Sequence, residues 1–176
     1  MRRFKVHTRV PFYVLAGVTL GVAAVVLTWR YWGPDIVINP TASEPPGFYR
    51  VVLHAPQNYR RGMTVVFPVP TAFQSFVYGH RWLRKGVPFL KTIVALAGDQ
   101  VCVFDDHFEV NRRTMGPVYS VDNSGSPMPC IRGCFVIAPG AFFPASTYNP
   151  RSFDGRYIGP QPLAALRGEA RALWTF

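Results

Sequence analysis

Residues 11–29 (PFYVLAGVTLGVAAVVLTW) carry no charged side chain, and this run limits what the chain can be more than any other feature does. As a helix, these residues would extend about 28 Å, close to the roughly 30 Å hydrocarbon thickness of a bilayer. Backbone amides cross such a layer only when bonded within the segment, so the run predicts one transmembrane helix over residues 11–32. A cleavable signal peptide is the rival reading, but its apolar stretch usually spans about 7 to 15 residues and ends in small side chains. Here the run ends in Trp29, Arg30, Tyr31 and Trp32, an aromatic and basic belt suited to a membrane interface.

Arg2, Arg3, Lys5 and Arg9 precede the run, whereas Arg30 is soon followed by Asp35. The positive-inside rule then predicts a basic cytoplasmic tail (residues 1–10), a single span in the inner membrane of a bacterium, and a periplasmic domain (residues 33–176). Disulfides form in that compartment. Cys130 and Cys134 are expected to bridge if their loop bends, leaving Cys102 as a buried thiol. His7, His54, His80 and His107 are scattered without a metal-binding motif, and neither a metal nor a cofactor is expected.

The net charge of +10 raises the question of polyanions. Arg60, Arg61, Arg81, Arg84, Lys85, Arg112 and Arg113 are spread among Phe73, Phe76, Trp82 and Phe89 without a nucleic-acid motif, so nucleic acid is not an expected partner. A surface resting on membrane lipid and a solvated basic face both suit them.

Beyond residue 33, prolines and glycines interrupt nearly every stretch. Residues 47–53, 63–69, 89–96, 100–104, 107–110, 135–138 and 141–143 read as short strands, with Asp105 and Asp106 as a hairpin turn. Only residues 162–172 suggest helical turns. The fold class is therefore mainly β, a folded antiparallel sheet or barrel.

G-x-S-x-G, the P-loop, the dinucleotide fingerprint and S-x-x-K are all missing from the sequence. Lys91 is the only charge within VPFLKTIVALA, and in a strand it shares a face with Phe89 and Ile93. Burial there disfavours the ammonium and makes the amine a base. The plain alternative is a lysine whose stem packs while its head reaches solvent. Ser43 lies in NPTASEPPGFY, where Pro40, Pro45 and Pro46 forbid a helix and hold the hydroxyl on a stiff loop; alone, it reads as a turn serine.

Together these segments resemble the type I signal peptidase superfamily, and most closely its conjugative-transfer, TraF-like branch. Ser43, Pro45, Gly47, Phe48 and Tyr49 are similar to that branch's T-x-S-x-P-x-G-[LF]-Y pattern. RGMTVVF (61–67), KTIVALAGD (91–99), Asn111, VIAPGAFF (136–143) and SFDGRYIG (152–159) follow in family order. Met63, in place of an acid, Glu44, in place of methionine, and ASTYNP (145–150), in place of G-D-N, depart from the housekeeping enzymes and favour the TraF-like branch.

The resemblance implies a serine endopeptidase with Ser43 as nucleophile and Lys91 as base. Ser152 would orient the amine, and Asp154 and Arg156 would form a supporting pair. The Ser43 amide and the Thr41 hydroxyl would meet the oxyanion. It further implies a pilin-like precursor polypeptide as partner, with small residues before the cut, ending in hydrolysis or cyclisation. Phe89, Ile93, Pro45 and Pro46 are expected to crowd the pockets. A general secretory signal peptidase and an idle pilus-assembly factor of the same fold are the alternatives.

Overall fold

The structure is a computed structural model that describes residues 12–32 and 35–176. The elements run α1 (Phe12–Trp32), β1 (Ile36–Asn39), β2 (Gly47–Val52), β3 (Thr64–Phe67), α2 (Gln74–Gly79), β4 (Phe89–Leu96), β5 (Gln100–Val103), β6 (His107–Val110), β7 (Arg113–Pro117), β8 (Gly133–Val136), β9 (Ala141–Ala145), α3 (Gly155–Ile158), β10 (Gln161–Pro162) and β11 (Gly168–Thr175).

Helix α1 belongs to one compact unit and residues 35–176 to another. Within α1 side chains are described for residues 13–28, and among the described residues no helix is long and apolar enough to cross a membrane. The expected basic tail, and the side chains of the expected belt at residues 29–32, lie outside the described residues.

The larger unit is mainly β and antiparallel. One sheet has the order β1-β2-β11-β3-β4-β9-β10 and the other β7-β6-β5-β8. Strand β4 keeps the bounds expected of it, and every residue but Leu96 is buried, because the strand lies inside its sheet. The β5–β6 hairpin turns through Asp105 and Asp106, with Phe104 N–H donating to the His107 carbonyl at 2.9 Å. Phe67, Phe89, Phe142 and Phe143 join Val65 and Ile93 in the main core.

Two expectations are corrected. Residues 162–172 hold only a short 3-10 turn, Leu163–Ala165, before β11. Strand β11 fills the gap between β2 and β3, and these two neighbours supply backbone partners that outweigh the helical preference of Ala, Leu and Arg. Gly47 makes this packing possible: at φ 158° it runs so close to β11 that a Cβ would collide with the Trp174 carbonyl.

The disulfide joins Cys102 to Cys134, and Cys130 is exposed and free. Cys102 and Cys134 face each other across the β5–β8 pair, whereas Cys130 lies in the loop before β8. Cross-strand register, not closeness in sequence, brings the two sulfurs together. A non-reducing digest should link the Cys102 and Cys134 peptides and leave Cys130 open to alkylation. Replacing both bridged cysteines by serine should cost about 2–4 kcal/mol in unfolding free energy, while Cys130→Ser changes little.

Candidate active site

The loop between β1 and β2 carries Ser43, and Asn39 builds it. Asn39 is buried at the end of β1, and its amide nitrogen donates to the carbonyls of Glu44 (2.9 Å) and Pro45 (3.2 Å). Its oxygen accepts from Thr41 N–H (3.2 Å) and Thr41 Oγ1 (2.9 Å). One side chain thus closes the turn that prolines alone leave open. From the other side, the Ser146 hydroxyl donates to the Ser43 carbonyl, and Tyr49 OH donates to the Pro45 carbonyl at 2.5 Å. Ser43 Oγ makes no hydrogen bond to another described residue. Thr41 spends its only hydroxyl proton on Asn39, so in this arrangement its hydroxyl has none to offer an oxyanion.

Strand β4 supplies Lys91, which is 2% exposed. Its amine donates to Ser152 Oγ at 2.7 Å and lies 5.4 Å from the centre of the Phe89 ring. Burial pulls the amine down to about 8; the charges of Asp154 and Glu44 oppose that fall, and Arg156 adds to it.

Asp154 and Arg156 form a buried two-pronged pair. Arg156 Nε meets Asp154 Oδ1 and Nη2 meets Oδ2, both at 2.8 Å, with side chains 0% and 1% exposed. Arg156 also donates to the carbonyls of Pro117 (2.7 Å), Pro150 (2.6 Å) and Ser152 (3.0 Å). Asp154 caps the single-turn helix α3 and accepts from Ser146 N–H at 2.9 Å. Gly155 lets α3 sit against β9, where a Cβ would strike the Pro144 carbonyl and the Phe143 ring.

Thr41, Ser43, Lys91 and Ser152 line one cavity of about 440 Å³, walled by Val77, Trp82, Leu83, Phe89, Met128 and Tyr157. Asp154 and Arg156 do not line it. Phe89 lines the cavity, but Ile93, Pro45 and Pro46 do not. Ile93 is instead packed in the core. Sequence reasoning missed Asn39 and Ser146; an Asn-Pro pair opening a turn was the available sign for the first, and nothing marked the second.

The signal peptidase, peptidase S26 family model matches residues 10–175. The chain belongs to that family. It is 31% identical over 174 residues to the conjugal transfer protein TraF of Agrobacterium fabrum, covering 89% of this chain and 94% of that one. It is 28% identical over 181 residues to the plasmid transfer protein TraF of Escherichia coli, covering 96% and 99%. Within the family it therefore stands in the TraF branch. A crystal structure of a signal peptidase I from Enterococcus faecalis aligns with 67% of this chain and 98% of its own, at 20% identity and a TM-score of 0.39.

The buried amine gives this peptidase-family site a measurable thermodynamic mark. The unfolded lysine titrates near 10.5 and the folded one near 8, so the folded state pays for holding a charged amine at any pH below about 8. Lys91→Met should therefore raise the unfolding free energy by up to about 3 kcal/mol below pH 8, the gain fading as pH rises from 8 to 10.5. Chemical denaturation across that range checks the sign.

Proposed function

We propose that the chain is a membrane-anchored Ser-Lys endopeptidase, held by residues 11–32, that matures a pilin-like precursor on the periplasmic face of the inner membrane. The observation that carries the reading is the Lys91 amine, buried and bonded to Ser152 Oγ in the same cavity that Ser43 lines. Neutral Lys91 takes the proton from Ser43 Oγ while the oxygen attacks the scissile carbonyl. The resulting tetrahedral oxyanion collapses to an acyl-enzyme as the ammonium returns its proton to the leaving amine. The Ser43 amide N–H meets the oxyanion. Water then completes hydrolysis, or the precursor's own amino terminus closes a ring.

Strand β4 pairs with β3 along Phe89–Thr92 but with β9 only from Thr92 onward. One edge of residues 89–91 is therefore free of a strand partner, and these residues line the cavity. An extended precursor adds there as a strand, sending alternate side chains toward the enzyme. The Phe89 ring beside the amine favours a small residue just before the cut. The names of the conjugal-transfer relatives support conjugation as the setting, ahead of general secretion. Retention of both Ser43 and Lys91 favours an active enzyme over an idle assembly factor.

The test uses the purified full chain in detergent and an internally quenched peptide with alanine just before the cut. Ser43→Ala and Lys91→Met should each fold and lose cleavage, and the double variant should be no worse than either, since the two groups act as one unit. Lys91→Arg should fail as well, because a guanidinium keeps its proton. The wild-type rate should climb with pH through about 8, where the amine turns neutral. Cleavage by Lys91→Met at the wild-type rate would refute the mechanism.

A further inference from the structure

Glu44 follows Ser43 directly, yet it is only 5% exposed. Its Oε1 accepts a 3.0 Å bond from Thr92 Oγ1, and Thr92 follows Lys91 in β4. The chain neighbours of the proposed nucleophile and the proposed base are thus tied side chain to side chain. A carboxylate withdrawn from water needs partners, and here Thr92 meets part of that need through its hydroxyl and its backbone amide. Asp154, the other carboxylate acting on the Lys91 amine, is already engaged by Arg156 and Ser146 N–H.

Resting on the dyad reading above, we propose that Glu44 is a positioning residue that fixes the Ser43 loop against β4 through Thr92 and supplies a negative charge acting on the Lys91 amine. Burial, with a smaller push from the Asp154 charge, raises the Glu44 carboxyl above its usual range, against the Thr92 hydrogen bonds and the Lys91 charge, which lower it. In return, Glu44 and Asp154 raise Lys91 against its burial, and Arg156 lowers it. Tyr49 completes the set, its phenol raised by burial and by the Glu44 charge. The charge has two opposed consequences. It lowers the fraction of neutral amine at neutral pH, and it stabilises the ammonium formed when Lys91 takes the Ser43 proton.

Glu44→Gln keeps the size of the side chain and an acceptor for Thr92 but removes the charge. In the full chain, with the quenched alanine peptide, this variant should move the rising limb of the pH–rate profile acidward by at least about half a pH unit. Thr92→Val keeps the charge and loosens the loop, so it should lower the plateau rate without an acidward move. A readout independent of catalysis is the unfolding cycle of Glu44→Gln, Lys91→Met and the double variant. Its coupling should amount to roughly threefold or more in the unfolding equilibrium constant at pH 7 and vanish at pH 10, where the folded amine is neutral. An unmoved limb together with no coupling at pH 7 overturns the proposal. If the wild type cleaves nothing but the coupling is present, the electrostatic link stands and the peptidase reading is what fails.

Discussion

The Asp154–Arg156 pair holds both halves of the proposed dyad in register. On one side Arg156 grips the Ser152 carbonyl, and Ser152 Oγ receives the Lys91 amine. On the other, Asp154 takes the Ser146 amide, and the Ser146 hydroxyl donates to the Ser43 carbonyl. Two irregular loops, residues 40–46 and 146–154, are thereby tied to one planar fork. Surface pairs of this kind contribute little, but here both partners are withdrawn from water, and removing either leaves a buried charge unanswered. The backbone carbonyls of Pro117, Pro150 and Ser152 take up further Arg156 donors, which makes so complete a burial tolerable.

Against this anchored frame the lysine is the unstable element. Its amine has one hydroxyl as hydrogen-bond partner among the described residues, and it lies over the Phe89 ring. On the proposed mechanism, local stability is given up where a base is needed near neutral pH, and the aromatic core around Phe67, Phe89 and Phe142 supplies the packing that permits it. The charges of Asp154 and Glu44 keep the amine's pKa from falling further. An amine with a much lower pKa would be neutral more of the time but too weak a base to take a hydroxyl proton.

The legible parts of the sequence were those governed by local rules. Strand β4 could be read with its bounds because a β-branched and apolar run ends at Gly98-Asp99, and the β5–β6 turn could be read from two aspartates. Asp99 gathers Arg61, Asn111 and the Leu96 amide, so the scattered residues Arg61, Asp99 and Asn111 are one structural tie. What could not be read was set by pairing distant in sequence. Strand β11 lacks a strand-like composition and exists through β2 and β3. The bridge depends on the β5–β8 register, which no cysteine spacing encodes. Ser43 and Lys91 were recognisable as residue types in a motif order, but Ser146 and Glu44 carried no sign of their contacts.

The hydrogen bonds of Asn39 also constrain how a negative oxygen can be received. Its amide nitrogen is fixed by two carbonyls, so its oxygen must face Thr41, and the Thr41 hydroxyl must then donate to it. A donor cannot serve two acceptors at full strength. If Thr41 turned toward an oxyanion, Asn39 Oδ1 would keep only the 3.2 Å bond from Thr41 N–H. Part of what the oxyanion gained would be lost inside the loop that aims Ser43. Among the described residues the Ser43 amide N–H has no acceptor to give up. Under the proposed mechanism the loop thus favours the Ser43 backbone amide over the Thr41 hydroxyl as the oxyanion's donor, with the Thr41 side chain maintaining the turn.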